Sequence, residues 1–278
     1  MRRCTADLAE VDLSAGPVLI ERDVGSWTCD ARWRLENIQS RFGDIELTVG
    51  DDDDDEDVAV TMPLNEYLAY AERQKDDAPL YAFDDSVLDE VPELGENYSP
   101  PTCLREDWFA LLPRASRPPH RWLLVGAARS GSAPHVDPDS TSAWNTLVSG
   151  AKRWVLFPPD VDASDALYPS AVSSSGTLRD DEIDDEVVRS SASHWLHVCY
   201  PLLAELPGVE VVQQPGETVC VPHGWHHCAV NLALSVAVTA NFVDATNAAA
   251  AYRALRAHDV GLADKWRDRV LREVGVAL

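Results

Sequence analysis

The chain has 278 residues, 45% hydrophobic and 25% charged, enough for one large domain or two small ones and typical of a soluble globular protein. Its formal net charge is −24, and the run DDDDDED (Asp51–Asp57) supplies only seven of those charges, so the acidity is general. That balance argues against nucleic acid as a direct partner and suits a basic, Lys/Arg-rich protein, or serves solubility alone.

No apolar run is long enough to span a bilayer, so no membrane is expected. The start, MRRCTADLAE, lacks the apolar centre of a secretory signal. Six cysteines (Cys4, Cys29, Cys103, Cys199, Cys220, Cys228) form no CxxC pair and read as reduced thiols, which points to a nuclear or cytoplasmic protein.

In chain order, PVLIERD (Pro17–Asp23) predicts a short strand, CDARWRLENIQSRFG a helix ending at Gly43, and DIELTVG a second strand. The acidic run that follows predicts an exposed loop; it has neither the spacing nor the glycine of an EF-hand calcium loop. MPLNEYLAYAERQ has apolar residues at helical spacing, and APLYAFD predicts another strand.

From Arg121 to Asp244 the chain becomes a series of short β-rich runs: RWLLVGAA, TSAWNTLVSG, KRWVLFPP, VEVVQQPGETVCVP and SVAVTANFV. Gly, Pro, Ser and Asn separate them, and VSGAK reads as a tight hairpin turn. Such a series predicts a sandwich or jelly roll. Between them lies a polar, acidic stretch from Ser173, then the helix-like SHWLHVCYPLLAEL. After Asn247 the sequence is helical with a break near Gly261. The expected layout is an N-terminal α/β extension (1–90), a β core (91–245) and a C-terminal helical segment (246–278).

Two stretches carry chemistry. SGSAPHVDPDSTSAWNTLVSGAKRW places His135 and Asp137 two residues apart, where a strand would aim both side chains to one side. PGETVCVPHGWHHCAVNLALSVAVTANF adds His223, His226 and His227 between two apolar β-runs. Two histidines and one carboxylate with open positions are the ligand set of non-haem Fe(II) oxygenases. Zinc accepts such a set too, although structural zinc takes four protein ligands. Lys152, flanked by Trp154, Leu156 and Phe157, is either an exposed hairpin lysine or a buried cation for an acidic co-substrate; spacing alone leaves both open.

These same stretches resemble the JmjC family of 2-oxoglutarate oxygenases, and within it the arginine demethylase and lysyl-hydroxylase branch. The ordered match runs His-x-Asp-Pro, Thr-Ser-Ala-Trp-Asn, Gly-x-Lys-Arg-Trp and Pro-Gly-Glu-Thr, and the likeness extends over roughly residues 17 to 247. The resemblance implies a mainly β chain with flanking helices around a double-stranded β-helix, the jelly-roll or cupin core. It assigns Fe(II) to His135, Asp137 and His227, and the distal carboxylate of 2-oxoglutarate to Lys152. Thr239 and Asn145 would hydrogen-bond the co-substrate, Tyr81 and Ser132 would face it, and Asn241 is a further candidate behind them.

The chain departs from the branch where Trp225 is followed by His226 rather than a second tryptophan. Motif register favours His227 over His226, because only one of two adjacent strand residues faces the metal. Ser132 stands in place of a threonine and keeps the hydroxyl, and the basic tracts of the branch's nuclear members are missing. The activity implied is insertion of oxygen from O2 into a C–H bond, with lysine carbon 5 in Arg/Ser-rich proteins ranked above methyl-arginine demethylation. A homodimer is plausible by the same resemblance. The rivals are a non-catalytic cupin-like binding module and a zinc hydrolase on the same core.

Overall fold

The computed structural model describes residues 1–5, 11–21, 27–50, 60–104, 106–161, 191–203 and 205–278. The acidic run Asp51–Asp57 and the polar stretch that begins at Ser173 lie outside them.

The first third of the chain forms β1 (Arg2–Cys4), β2 (Val18–Ile20), α1 (Leu35–Phe42), β3 (Glu46–Gly50), β4 (Val60–Pro63), α2 (Leu64–Arg73) and β5 (Tyr81–Asp84), then the short helices α3 (Val87–Glu90) and α4 (Pro92–Gly95). Next come β6 (Arg121–Gly126), β7 (Gly131–His135), β8 (Ser142–Ser149) and β9 (Lys152–Phe157). After α5 (Ala192–His194) follow β10 (Val209–Gln213), β11 (Thr218–Val221), β12 (His226–Asn231) and β13 (Ser235–Phe242). Helices α6 (Ala248–His258) and α7 (Val260–Glu273) close the chain.

The strands make two sheets. The large one has nine strands in the order β1-β2-β11-β8-β13-β6-β5-β3-β4, and the small one four in the order β10-β9-β12-β7. Leu19, Ala143, Val219 and Val221 of the large sheet pack against Trp154, Leu156, Val211 and Ala229 of the small one. This is the expected jelly-roll core, mainly β with flanking helices.

The opposite face of the large sheet is also covered. Trp144, Val148, Val236, Val238, Ala240 and Phe242 pack there with Trp33, Ile38, Leu64 and Tyr67 from the N-terminal third. Burial on both faces explains why β13 is buried along its whole length although polar and apolar residues alternate in it. With period two, Asn145, Thr239 and Asn241 then point between the sheets.

VSGAK does not close a hairpin. β8 pairs with β11 and β13, whereas β9 pairs with β10 and β12. The segment is a corner at which the chain leaves one sheet for the other, with Gly150 at φ 90°. SHWLHVCYPLLAEL is not one helix either: α5 passes into a π-helical turn (Trp195–Cys199) and a 3-10 turn (Tyr200–Leu203). Pro201 has no N–H to continue an α-helix.

The C-terminal break falls at Asp259, two residues before Gly261. Asp259 is extended (φ −142°, ψ 96°) and its carboxylate accepts from Leu262 N–H at 2.9 Å, capping α7. The buried Trp266 of α7 meets Phe109 edge-on at 4.7 Å and donates from Nε1 to Trp108 O at 2.8 Å. Trp266→Ala is expected to cost about 3–5 kcal/mol of stability, because it empties a buried site and orphans a carbonyl. Urea unfolding would measure it, and a loss within the scatter of a surface substitution would refute this account.

Candidate metal centre

The small sheet sets the geometry. β7 and β12 are antiparallel, with His135 opposite His227. Their rings lie with centroids 4.2 Å apart. Asp137 is not on the strand with His135: β7 ends at His135, and Asp137 begins the 3-10 turn Pro138–Ser140 at φ −56°, ψ 139°. The pair converges although Asp137 lies two residues past the strand end, with one ligand atom of each close to the other. One ligand atom from each of His135, Asp137 and His227 falls within 4.8 Å of the others.

Each histidine is held in one tautomer. The Nδ1–H of His135 donates to Ala133 O at 2.8 Å, and that of His227 to Trp225 O at 3.0 Å. Nε2 of each ring is thereby left as the lone-pair nitrogen a metal needs. His227 Nε2 lies 3.9 Å from Asp137 Oδ2. Burial, reinforced by His135 and opposed by Asp137, brings the His227 pKa down to about 4, so the ring is neutral at pH 7. Asp137 Oδ1 accepts from Asn241 Nδ2 at 3.4 Å, while Oδ2 is buried with no hydrogen-bond partner. A buried carboxylate oxygen without a donor is costly unless a cation meets it. The donor set therefore fits a divalent metal with three protein ligands and open positions.

His226 is the adjacent residue on β12 and stands opposite Phe157, on the far side of the strand from His227. The choice between the two histidines thus goes to His227 on geometry. Trp154 stacks against the His227 ring at 6.2 Å and 28°. Its Nε1 donates to Gln213 Oε1 at 2.8 Å, and Gln213 Nε2 in turn donates to Asn145 O and Glu217 O. Gln213 is fully buried and pins this wall of the site. Sequence reasoning passed over it, since a glutamine next to a Pro-Gly turn carries no motif.

Lys152 is 2% exposed, so it is a buried amine and not a surface lysine. Nζ donates to Tyr81 OH at 2.9 Å, and no carboxylate pairs with it among the described residues. Burial alone drives its pKa down to about 7. An ammonium so placed favours an anionic ligand.

The other expected residues also line the space between the sheets. Asn145 and Thr239 are register partners on β8 and β13. Thr239 Oγ1 donates to Trp144 O at 2.8 Å, and Asn145 Oδ1 is buried without a partner. Asn241 also donates to Thr141 Oγ1 at 3.0 Å. Ser132 pairs with Ala229, an inward position of β12, although it is three residues from His135. An extra residue in β7 makes that possible: the register shifts between His227 and Ala229, and the bulge restores Ser132 to the face of His135.

Residues 6–248 match the family described as cupin-like domain. The Arabidopsis thaliana protein named lysine-specific demethylase JMJ21 is 40% identical over 232 residues, 83% of this chain and 23% of that one. The Caenorhabditis elegans bifunctional arginine demethylase and lysyl-hydroxylase psr-1 is 35% identical over 239 residues, 83% of this chain and 56% of that one. The human 2-oxoglutarate and iron-dependent oxygenase JMJD4 is 32% identical over 168 residues, 59% and 36% of the two chains. The chain thus spans less than two thirds of the length of each of these relatives. The jelly roll, the three converging ligands and the match over most of the chain agree: the protein belongs to the cupin-like JmjC family.

Proposed function

We propose that the chain is an Fe(II)- and 2-oxoglutarate-dependent dioxygenase that hydroxylates side chains of basic proteins, lysine at carbon 5 first among them. The observation that carries this reading is a three-ligand metal set at the edge of the small sheet and, on the inward face of the same sheet, a buried lysine with no carboxylate partner among the described residues. The names of the relatives support it, since they cover iron- and 2-oxoglutarate-dependent oxygenases, demethylases and a lysyl-hydroxylase.

When bound, Fe(II) with 2-oxoglutarate and O2 supplies the oxidising power that puts one oxygen atom into a substrate C–H bond and the other into succinate, with loss of CO2. The chain's part is binding and orientation. His135, His227 and Asp137 hold the metal, and Asn241 steadies Asp137 through Oδ1. Lys152, with Tyr81 beside Nζ, takes the distal carboxylate as a charge-assisted pair. Asn145 and Ser132 offer polar groups along the co-substrate, and Thr239 offers its hydroxyl oxygen as acceptor, its proton being used on Trp144 O. Trp154 closes one side of His227 against water. The net charge of −24 favours encounter with a cationic protein segment.

Demethylation of methyl-arginine is the second reading, favoured by a 35% identical relative from A. thaliana named arginine-specific demethylase JMJ22. Both outcomes begin with oxygen insertion and differ in which C–H bond faces the metal. Mass spectrometry of an Arg/Ser/Lys-rich peptide, incubated with protein, Fe(II), 2-oxoglutarate and air, separates them. Gain of one oxygen on lysine supports hydroxylation, and loss of a methyl group from a methyl-arginine peptide supports demethylation. Absence of both, with succinate still formed, removes the basic-protein substrate; absence of succinate removes the dioxygenase and leaves a binding module.

A further inference from the structure

Asn231, at the end of β12, is 1% exposed, and its Oδ1 is buried with no hydrogen-bond partner. Its register partner across the β9–β12 ladder is Lys152. Directly opposed residues share a face, with Cβ atoms about 5 Å apart. β12 therefore presents His227 at the metal and, four residues along the same face, Asn231 at the lysine.

The amide is held in one orientation. Ser130 Oγ lies 2.8 Å from Ala127 O, which can only accept, so the hydroxyl proton goes there. Ser130 Oγ then accepts from Asn231 Nδ2 at 3.0 Å, which makes the atom on the other side of the amide the carbonyl oxygen. The chain main-chain bonds also fix the site: Asn231 N donates to Ser130 O at 2.8 Å, and Arg129 N to Asn231 O at 2.7 Å.

Tyr81 and this amide meet over bare backbone. A Cβ built on Gly126 would lie 1.9 Å from Asn231 Nδ2 and 2.9 Å from Tyr81 Cε2. Any larger residue there would push the two apart. Tyr67 ties down both partners from behind: its hydroxyl donates to Leu80 O at 2.9 Å, next to Tyr81, and accepts from Ala127 N at 3.0 Å, on the loop that carries Ser130. A buried chain from Tyr67 through Ala127 and Ser130 to Asn231 thus stands behind the pair Tyr81–Lys152, and Asn231 Oδ1 is an acceptor in it with no partner among the described residues.

We propose that Asn231 is a positioning residue for Lys152: Oδ1 accepts one ammonium proton when a dicarboxylate enters, Tyr81 takes a second, and the third is aimed at the ligand's distal carboxylate. The inference rests on the co-substrate reading above. It extends that reading to a side chain held by the β6–β7 loop, so that the co-substrate end of the site depends on packing against α2.

The test is direct binding of 2-oxoglutarate to the Mn(II)-loaded protein by calorimetry, as a function of pH, for wild type, Asn231→Ala, Asn231→Asp and Ser130→Ala. Mn(II) affinity and thermal midpoint are measured in parallel. Asn231→Ala is expected to weaken 2-oxoglutarate binding about tenfold, the value of one hydrogen bond to a charged group, with Mn(II) affinity unchanged. Ser130→Ala, which frees the amide to turn, should weaken it less. In Asn231→Asp the new carboxylate should hold Lys152 charged, and the pH above which binding weakens should rise by about one to three units. Among the described residues Tyr81 is the titratable group hydrogen-bonded to Lys152, and the lysine's shift comes from burial. A merely structural asparagine would lower the thermal midpoint and Mn(II) affinity together and leave that pH where it was. Wild-type-like binding by the Asn231 variants overturns the inference alone; failure of the wild type to bind 2-oxoglutarate overturns it together with the co-substrate reading.

Discussion

A His227→Ala variant is expected to lose iron-dependent succinate formation, and a His226→Ala variant to keep it within a few-fold. Both residues are histidines on one strand, so composition and local sequence are matched. They differ in the face they occupy: His227 stands opposite His135 and His226 opposite Phe157. Removing even an outer partner of a metal ligand typically costs 10–100-fold in affinity, and removal of a ligand itself should exceed roughly a hundredfold. Mn(II) binding followed by calorimetry reads the metal directly, without turnover. Loss of binding in His226→Ala with retention in His227→Ala would overturn the ligand set.

The same preparation separates the zinc rival. After chelation, Fe(II) should restore succinate formation and Zn(II) should not, since zinc has no redox chemistry to offer. Restoration of a hydrolytic activity by Zn(II), with no dependence on 2-oxoglutarate, would sink the dioxygenase.

The metal ligands were legible because the chemistry demands particular side chains at short, ordered spacings. His-x-Asp and the last histidine after Gly-Trp survive as patterns even though Asp137 turned out to lie beyond the strand end. The jelly roll was legible from short β-runs, but the connection at Gly150 was not. The residues of VSGAK suit a tight reversal, and nothing local states that β8 and β9 part into different sheets. That partition is a long-range fact, set by which strands reach β11, β13 and β12.

Lys152 is the sharper case. Sequence left it equally a surface or a buried lysine, and its position opposite Asn231 on an inward face decides the matter. Asn231 and Gln213 were invisible for the same reason. An asparagine in VNLALS reads as a turn residue, and only the ladder register brings it to the lysine.

Lys152→Met is expected to weaken 2-oxoglutarate binding by about 2–5 kcal/mol, the usual cost of removing one partner of a buried charge pair, or roughly thirty- to several-thousand-fold in Kd. Metal affinity should not change. The variant should fold, because methionine fills similar space and carries no amine to desolvate.

The pH dependence gives the stricter test. In the free site burial brings Lys152 to about 7, and a dicarboxylate binds the ammonium form. Below pH 7 the lysine is already charged and affinity should be flat. Above pH 7 binding must take up a proton, so Kd should weaken about tenfold per unit until the raised pKa of the complex is reached. Stability of the free protein runs the other way. A lysine whose pKa is depressed on folding binds fewer protons folded than unfolded between about 7 and its ordinary value of 10.5. Its destabilising cost is fully present below pH 7 and is relieved as pH rises through that window. Referenced to Lys152→Met, which removes both slopes, the wild type should gain stability and lose affinity as pH rises from 7 to 9. Parallel slopes in wild type and Lys152→Met would mean that the lysine is not the group that receives the co-substrate.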